Sequence, residues 1–362
     1  MSKGRELSVV ISELMRQSEA KADYIAPAMG MRMQEDGSTF EINHLRNREC
    51  LTFDSSKVLH RQIGSVLNIP ARYYDLMQKE KPELLARNVN AWFADLDGNY
   101  MVRSFQYPGE SIGRALLSAQ YRRIDNLMIA ETVLPLFAGS DQYAVISSEV
   151  TERKLYFKIV NKRLEADVSV GDTVQAGVIV SNSEVGMGAV NIQPFIYRLV
   201  CSNGMVVTEM GNRMRKTHVG RLQEAVENSF MIYTSETQEA EDKALALQIR
   251  DHAKAAIDEA MFKGVVNTLK GATEVYINGN PSEVIKLAGK VYDFTSTEQT
   301  GILRHLVEGG DLSKYGLSNA VTRTSQDVED YDRATELEEI GWKVATMENG
   351  LWEHINGNAY VV

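Results

Sequence analysis

Cysteine is scarce in this chain, which has only two cysteines, Cys50 and Cys201, among its 362 residues. The two lie far apart in the sequence and form no CxxC pair, which argues against a structural zinc site and against a disulfide-stabilised scaffold. Free thiols are typical of proteins in reducing compartments. We therefore expect a cytoplasmic protein.

Long apolar runs are also missing. A membrane-spanning helix needs about 18 or more consecutive apolar residues, and no such stretch occurs. The first residues, MSKGRELSVV, lack the apolar core and the small-residue cleavage site of a secretory signal. The sequence therefore predicts a protein without membrane contact.

Catalytic motifs are absent as well. The sequence contains no GxxxxGK[ST] phosphate loop and no GxSxG turn, and Gly186–Gly188 is too short for a dinucleotide fingerprint. The six histidines are scattered singly, without partners at metal-ligand spacing. We therefore predict no cofactor and no metal ion, identify no catalytic residue, and favour a protein that is not an enzyme.

Positive charge is concentrated in one segment, although the formal net charge of the chain is −10. Residues 197–221 (YRLVCSNGMVVTEMGNRMRKTHVGR) hold five Lys/Arg and one histidine against one acid. Asn203-Gly204 predicts a hairpin here, and the Gly-rich stretch SNSEVGMGA (181–189) precedes it. The predicted phosphate-binding residues of this segment are Arg198, Arg213, Arg215, Lys216, His218 and Arg221. The alternative is a solvated basic loop that balances an acidic C-terminal segment.

A second candidate lies in ALLSAQYRRIDN (115–126). Tyr121 followed by Arg122 and Arg123 puts an aromatic ring beside two guanidinium groups. This combination can stack on a nucleic-acid base and hold phosphates. In the alternative interpretation, Tyr121 packs in the core and an arginine pairs with Asp125.

Hydrophobic periodicity predicts an α+β fold with an antiparallel or mixed β-sheet core, flanking helices and a mainly helical C-terminal part. Strict alternation over 154–160 and 173–181 is typical of half-buried strands. From residue 235 an apolar stripe predicts a helix of about 25 residues that stops at Gly264. We predict a core domain at 1–235 and a helical region at 236–362 that packs on it.

Boundary signals add further expectations. Ser55 is a candidate N-cap for a helix over 55–67, and Ser296 with Gln299 forms a candidate capping box. Pro194 predicts that its strand lies at a sheet edge or bulges there.

Three segments carry a family resemblance: ALLSAQYRRIDN, the run GDTVQAGVIVSNSEVGMGAVNIQPFIYRLVCSNGMV (171–206), and NAVTRTSQDVEDYDRATELEEIG (319–341). They resemble the phage/plasmid-like family labelled domain of unknown function 932, over roughly residues 50 to 340. The resemblance implies a mobile-element protein in a bacterial cytoplasm. It implies no particular reaction, cofactor or catalytic residue.

Three functional hypotheses follow. The first is a phage- or plasmid-encoded nucleic-acid-binding protein, with single-stranded DNA as the favoured partner, that acts in replication or recombination, for example as an annealing protein. The second is an anti-defence or other module that binds a host or phage protein through an acidic surface. The third is a metal-dependent nuclease or phosphoryl-transfer enzyme, for which Asp327, Glu329, Asp330 and Asp332 are the nearest acidic group. Self-association into a homo-oligomer is an open possibility.

Overall fold

The computed structural model describes residues 4–43, 50–208, 214–217 and 235–357. These residues form two sheets with helices packed around them, which confirms the predicted α+β class. No helix in this described part combines the length and the apolar composition that a membrane crossing requires.

The first sheet is mixed and has the strand order β1-β5-β6-β4-β3-β2. Only the β4–β6 pair is parallel among its pairings. Its strands are β1 (Lys21–Pro27), β2 (Met31–Met33), β3 (Thr39–Asn43), β4 (Cys50–Ser55), β5 (Asn99–Tyr107) and β6 (Glu110–Ser118).

The second sheet is antiparallel, with the order β11-β10-β9-β8-β7, and β12 pairs with β10 beside β11. Its strands are β7 (Tyr143–Val150), β8 (Leu155–Ser169), β9 (Asp172–Asn182), β10 (Val190–Arg198), β11 (Asn203–Val206) and β12 (Met214–Lys216). β7 and β8 form a hairpin, and the hairpin predicted at Asn203-Gly204 is present.

Twelve α-helices surround the sheets within the described residues. They are α1 (Leu7–Ala20), α2 (Lys57–Val66), α3 (Ala71–Glu80), α4 (Pro82–Ala94), α5 (Asn126–Phe137), α6 (Ser235–Ala255), α7 (Glu259–Thr273), α8 (Pro281–Tyr292), α9 (Ser296–Gly309), α10 (Lys314–Thr324), α11 (Tyr331–Ala345) and α12 (Asn349–Gly357).

Each layer has its own apolar core. Helices α2, α3 and α4 close one face of the first sheet, where Phe40, Phe53 and Phe93 are fully buried. Helices α1, α5, α6 and α7 cover one face of the second sheet, around Phe157. Helices α8 to α12 form a third cluster of their own, and α10 and α11 also contact the second sheet. The boundary predicted at residue 235 stays a prediction.

The long helix predicted from residue 235 is two helices. It breaks between α6 and α7, and the carboxylate of Asp258 accepts hydrogen bonds from the backbone N–H groups of Ala260 and Met261. Asp258 therefore starts a new helix within the apolar stripe that predicted one continuous helix. Gly264 lies inside α7 and does not end a helix.

Two predicted caps are each wrong by one residue. Ser56, and not Ser55, caps α2 by accepting from Leu59 N–H. The capping box of α9 consists of Thr295 and Glu298 instead of Ser296 and Gln299. In both places an adjacent residue of the same chemical type takes the cap position.

The prediction for Pro194 needs a different correction. Its strand, β10, is not an edge strand, because β9 lies on one side and both β11 and β12 on the other. Pro194 falls in the gap between the β12 and β11 pairings, where its carbonyl accepts from Val207 N–H. The missing proline N–H therefore interrupts no ladder.

Candidate nucleic-acid interface

The β9–β10 loop, residues 183–189, closes one end of the second sheet. Strand register places two lysines beside it. Leu155 pairs with Asn182 at the end of β9, so Lys154 borders one side of the loop. Lys216 pairs with Val190 at the start of β10, so it borders the other side.

The loop is held from beneath by a buried glutamate. The carboxylate of Glu184 accepts from Arg114 Nη1 at 2.8 Å and from the backbone N–H of Asn126 at 2.7 Å. Its backbone carbonyl accepts from Arg103 Nη1 at 3.0 Å. Glu184 is 7% exposed, so these bonds form in a low-dielectric setting where hydrogen bonds to charged groups are strong.

Arg103 joins this glutamate to two further acids. It is 1% exposed and donates to Asp23 Oδ1 at 2.8 Å and to Asp125 Oδ1 at 2.9 Å. Burial alone would raise the pKa of Asp125, but hydrogen bonds from Lys21 and the Arg103 charge outweigh it and lower the pKa. We call Asp23, Arg103, Arg114, Asp125 and Glu184 the charge cluster; its three acids are compensated beneath the loop by the two arginines and by Lys21, which pairs with Asp125.

Three more hydrogen bonds fix the loop backbone. Gln62 Nε2 donates to the Val185 carbonyl at 2.7 Å, the Tyr121 hydroxyl donates to the Ser183 carbonyl at 3.0 Å, and Met187 N–H donates to Ser183 Oγ. Gly186 has φ +73°, and a Cβ there would lie 2.5 Å from Leu117 Cδ2. Glycine is therefore required at this turn.

Tyr121 lies half-buried against the loop, and its hydroxyl is used to anchor Ser183. Burial raises the pKa of this hydroxyl. Neither the base-stacking interpretation nor the core-packing interpretation describes it fully, because the ring packs beside the loop as a partly buried support. Asp125 pairs with Arg103 and Lys21 rather than with Arg122 or Arg123.

The two arginines after Tyr121 have different surroundings. Arg122 lies 3.8 Å from the carboxylate of Glu241 on α6 and is mostly buried. Arg123 lies 3.5 Å from Asp23, which already accepts from Arg103, and the Arg123 side chain is 54% exposed. Arg123 is therefore the more available cation of the pair.

Arg198 lies at the opposite end of the sheet. It pairs with Val174, eight residues along β9 from Asn182, which is about 26 Å in an extended strand. Its Nε donates to Asp172 Oδ1 at 2.6 Å and its Nη1 to Cys201 Sγ at 3.3 Å. Burial opposes the charged form, but Asp172 and Tyr315 outweigh it and raise the pKa of Arg198. The structure does not bring Arg198 to the loop.

The remaining candidates lie on and around β12. Arg215 and Lys216 are exposed on this short strand. Arg213, His218 and Arg221 lie outside the described residues.

Two further cations at this end escaped the sequence reasoning, namely Arg153, which is exposed, and Lys154, which is half-buried. They stand some 30 residues before the loop in sequence, and only the β8–β9 pairing brings them to it. Within the described part of the chain, no ion pair involves these two residues or the β12 cations. We call the following set the loop rim: Arg123, Arg153, Lys154, Arg215 and Lys216.

The acids proposed as metal ligands are used separately. Asp327 contacts Arg304 and His305, Asp330 caps α11, and Asp332 accepts from the Tyr156 hydroxyl. No group of three His, Cys, Asp or Glu side chains in the described ranges could hold one metal ion.

One family model matches the chain. The match covers residues 115–287, from β6 to α8, and its description is Domain of unknown function (DUF932). It includes Tyr121 and the β9–β10 loop, whereas the NAVT motif at 319–322 lies beyond it. No curated protein and no solved structure matches the chain. Residues 115–287 of the chain are thus similar to the DUF932 family, a domain of unknown function.

Proposed function

We propose that the protein binds single-stranded nucleic acid through the loop rim, in the replication or recombination of a phage or plasmid within the bacterial cytoplasm. The observation that carries the proposal is that cations from two separate stretches of chain border the β9–β10 loop. Lys154 lies in the turn before β8, and Lys216 lies on β12.

The local charge explains how an acidic protein holds a polyanion. Phosphate binding depends on nearby cations, because charges in physiological salt are screened beyond about 8 Å. Beneath the rim, the acids of the charge cluster are compensated by Arg103, Arg114 and Lys21. Arg123 lies 3.5 Å from Asp23, whereas Arg153, Lys154, Arg215 and Lys216 form no ion pair with a described residue and are available to phosphates.

The contacts expected are with the nucleic-acid backbone. The hydroxyl of Tyr121 is engaged with Ser183, so the ring is held against the loop and offers little surface for stacking. Met187, 41% exposed on the loop, is the apolar group placed to touch a base or sugar. Such a surface binds without strong sequence preference.

Salt dependence tests the proposal. Five phosphate contacts with a single strand give a slope of log K against log salt of about −3.5, since each contributes roughly 0.7. Replacing Arg215 and Lys216 together by alanine removes two contacts and should reduce the slope by about 1.4. The measurement is fluorescence anisotropy of a labelled oligo-dT at several salt concentrations.

The matched control changes two exposed lysines on α8, Lys286→Ala and Lys290→Ala, which lie outside the rim. This double variant should bind as the wild type does. No oligonucleotide binding at low salt, or an equal effect of both double variants, would remove the proposal. Stronger binding of duplex than of single-stranded DNA would change the partner.

A protein-binding role is the alternative, and one observation favours it. Arg122 and Arg198 are paired with carboxylates instead of facing solvent together, which leaves much of the surface acidic. A module that binds a host or phage protein would show no salt-dependent oligonucleotide binding, either as the wild type or as the Arg215/Lys216 double variant.

A further inference from the structure

The geometry points to a phosphate subsite between the Gly188 backbone and the Lys154 ammonium. It rests on the proposed function in that the phosphate would belong to a nucleic-acid backbone, although free phosphate has the same chemistry. Both groups are hydrogen-bond donors at the centre of the loop rim.

Lys154 supplies the charge. It stands immediately before β8, is half-buried, and forms no ion pair with any described residue. A half-buried ammonium without a carboxylate partner keeps a strong unmet attraction for an anion.

Gly188 supplies a backbone donor beside it. Its N–H donates to no acceptor in the described part of the chain, although the preceding Met187 N–H is used by Ser183. A Cβ placed on Gly188 would lie 3.1 Å from Lys154 Cε and 3.8 Å from its Nζ. The lysine stem therefore lies directly against Gly188, which places the ammonium near the backbone that carries this N–H.

The surroundings hold more cations than acids. Arg153 precedes Lys154 in the turn, Lys216 borders the other side of the loop through its pairing with Val190, and the exposed acid of the turn is Glu152. The one carboxylate of the loop, Glu184, is buried below and already satisfied by Arg114 and Asn126.

Two probes separate the sources of the phosphate. Inorganic phosphate is titrated against 15N-labelled protein, and oligo-dT binding is measured by anisotropy on the same variants. Phosphate should shift the Gly188 amide resonance, and Lys154→Ala should abolish that shift. In oligo-dT binding, Lys154→Ala should lower the salt slope by about 0.7, the share of one phosphate contact. Lys154→Arg should retain both effects.

Gly188→Ala tests the glycine itself. The added methyl group displaces the Lys154 stem, so affinity for oligo-dT should fall about threefold to tenfold, as expected for weakening one charge-assisted hydrogen bond. The control is Gly350→Ala on α12, where a Cβ meets no atom within 4 Å, and it should bind normally. Lys154→Gln replaces Lys154→Ala if the latter loses its thermal unfolding transition.

The outcomes are distinguishable from those of the proposed function. A Gly188 shift with inorganic phosphate, but no oligonucleotide binding, supports a subsite for free phosphate and removes the nucleic-acid function. Oligonucleotide binding that depends on Arg215 and Lys216 but is unaffected by Lys154→Ala overturns the subsite and keeps the function.

Discussion

The two faces of the second sheet differ in how much polar contact they bury, although the face under α11 also holds an apolar cluster around Phe195 and Val206. One face is apolar and is covered by α1, α5, α6 and α7. The side chains that point to it alternate along β8, β9 and β10, and are all fully or nearly fully buried: Leu155, Phe157, Ile159, Val178, Val180 and Ile192.

The other face, under α11, contains a buried ion pair and tyrosine hydrogen bonds. Lys158 Nζ lies 2.7 Å from Glu338 Oε2, and neither side chain is exposed. Tyr331, on the first turn of α11, contacts Ser147 at 2.6 Å between hydroxyls. Burial disfavours the charged form of Lys158, but Glu338 and Tyr331 outweigh it and raise the pKa of the lysine.

Polar atoms on this face are also left without partners. Glu338 Oε1 on α11 and Gln193 Nε2 on β10 are buried and make no hydrogen bond within the described residues. Gln193 pairs with Ile179 on β9, and Ile179 pairs with Lys158 on β8, so the three residues lie in one row across the sheet. The comparison teaches that the apolar face supplies non-directional stability, whereas directional polar contacts on the other face fix the position of α11.

Breaking the ion pair should have the largest effect. Lys158→Met leaves the buried Glu338 charge uncompensated, and the free energy of unfolding should fall by roughly 3–5 kcal/mol. Adding Glu338→Leu should restore most of that loss, because the pair is then replaced by apolar groups. Urea denaturation of the two single variants and the double variant measures this cycle.

The apolar face provides the control for this cycle. Phe157→Ala should also lower the free energy of unfolding by roughly 3–5 kcal/mol, because it leaves a cavity in the core. A second truncation beside it would enlarge the cavity and lower the stability further. If the Lys158/Glu338 double variant were no more stable than the single variants, the polar face would contribute stability directly, and the contrast between the faces would fail.

A buried polar side chain, His60, also lies on α2, which packs against the first sheet. His60 is 7% exposed and lies within hydrogen-bond distance of the Tyr74 hydroxyl and of Gln78. Burial lowers the pKa of His60 from 6.5 to about 4, against the opposing effect of the Asp36 and Asp75 carboxylates. The folded state therefore holds His60 neutral at pH values where the unfolded chain protonates it.

The contribution of neutral His60 to the free energy of unfolding is fully present above about pH 6.5. It is lost as the pH falls towards 4, by about 3 kcal/mol in total. The measurement compares unfolding of the wild type and of His60→Gln between pH 7 and pH 4.5. The variant should lose less stability than the wild type over this range; equal losses would contradict a buried neutral imidazole.

The smallest effect is expected at Gln193, on the polar face. Gln193→Met removes a buried amide that lacks a partner for its Nε2 and keeps a similar volume, so stability should rise by about 1 kcal/mol. Thermal unfolding measures it, with Ile192→Met on the apolar face as the matched control. A loss of stability in Gln193→Met would show that the amide is hydrated, and the polar face would then be a wet interface.

Local sequence signals predicted most elements of the fold. Alternation identified β8 and β9, and Asn203-Gly204 marked the β10–β11 turn. The errors occur where two local signals competed, as in the cap of α9 and the break before Asp258.

The candidate site was only partly visible in the sequence. Lys154 was recognisable as a polar-face residue of a strand, but nothing local connects it to Gly188. Arg198 was grouped with Arg215 because both lie in one basic segment, yet antiparallel pairing sends them to opposite ends of β10. Proximity along the chain is a poor guide to proximity across a sheet.

By itself, the sequence determined the α+β class, the individual strands and helices, and the presence of an unusually basic segment in an acidic chain. Those properties depend on residue types within a few positions of one another. Only the tertiary structure decided which cations meet at the β9–β10 loop, and that Arg103 and Glu184 are buried beneath it. Those contacts join residues far apart in the chain, and strand pairing and side-chain packing, which no local pattern encodes, bring them together.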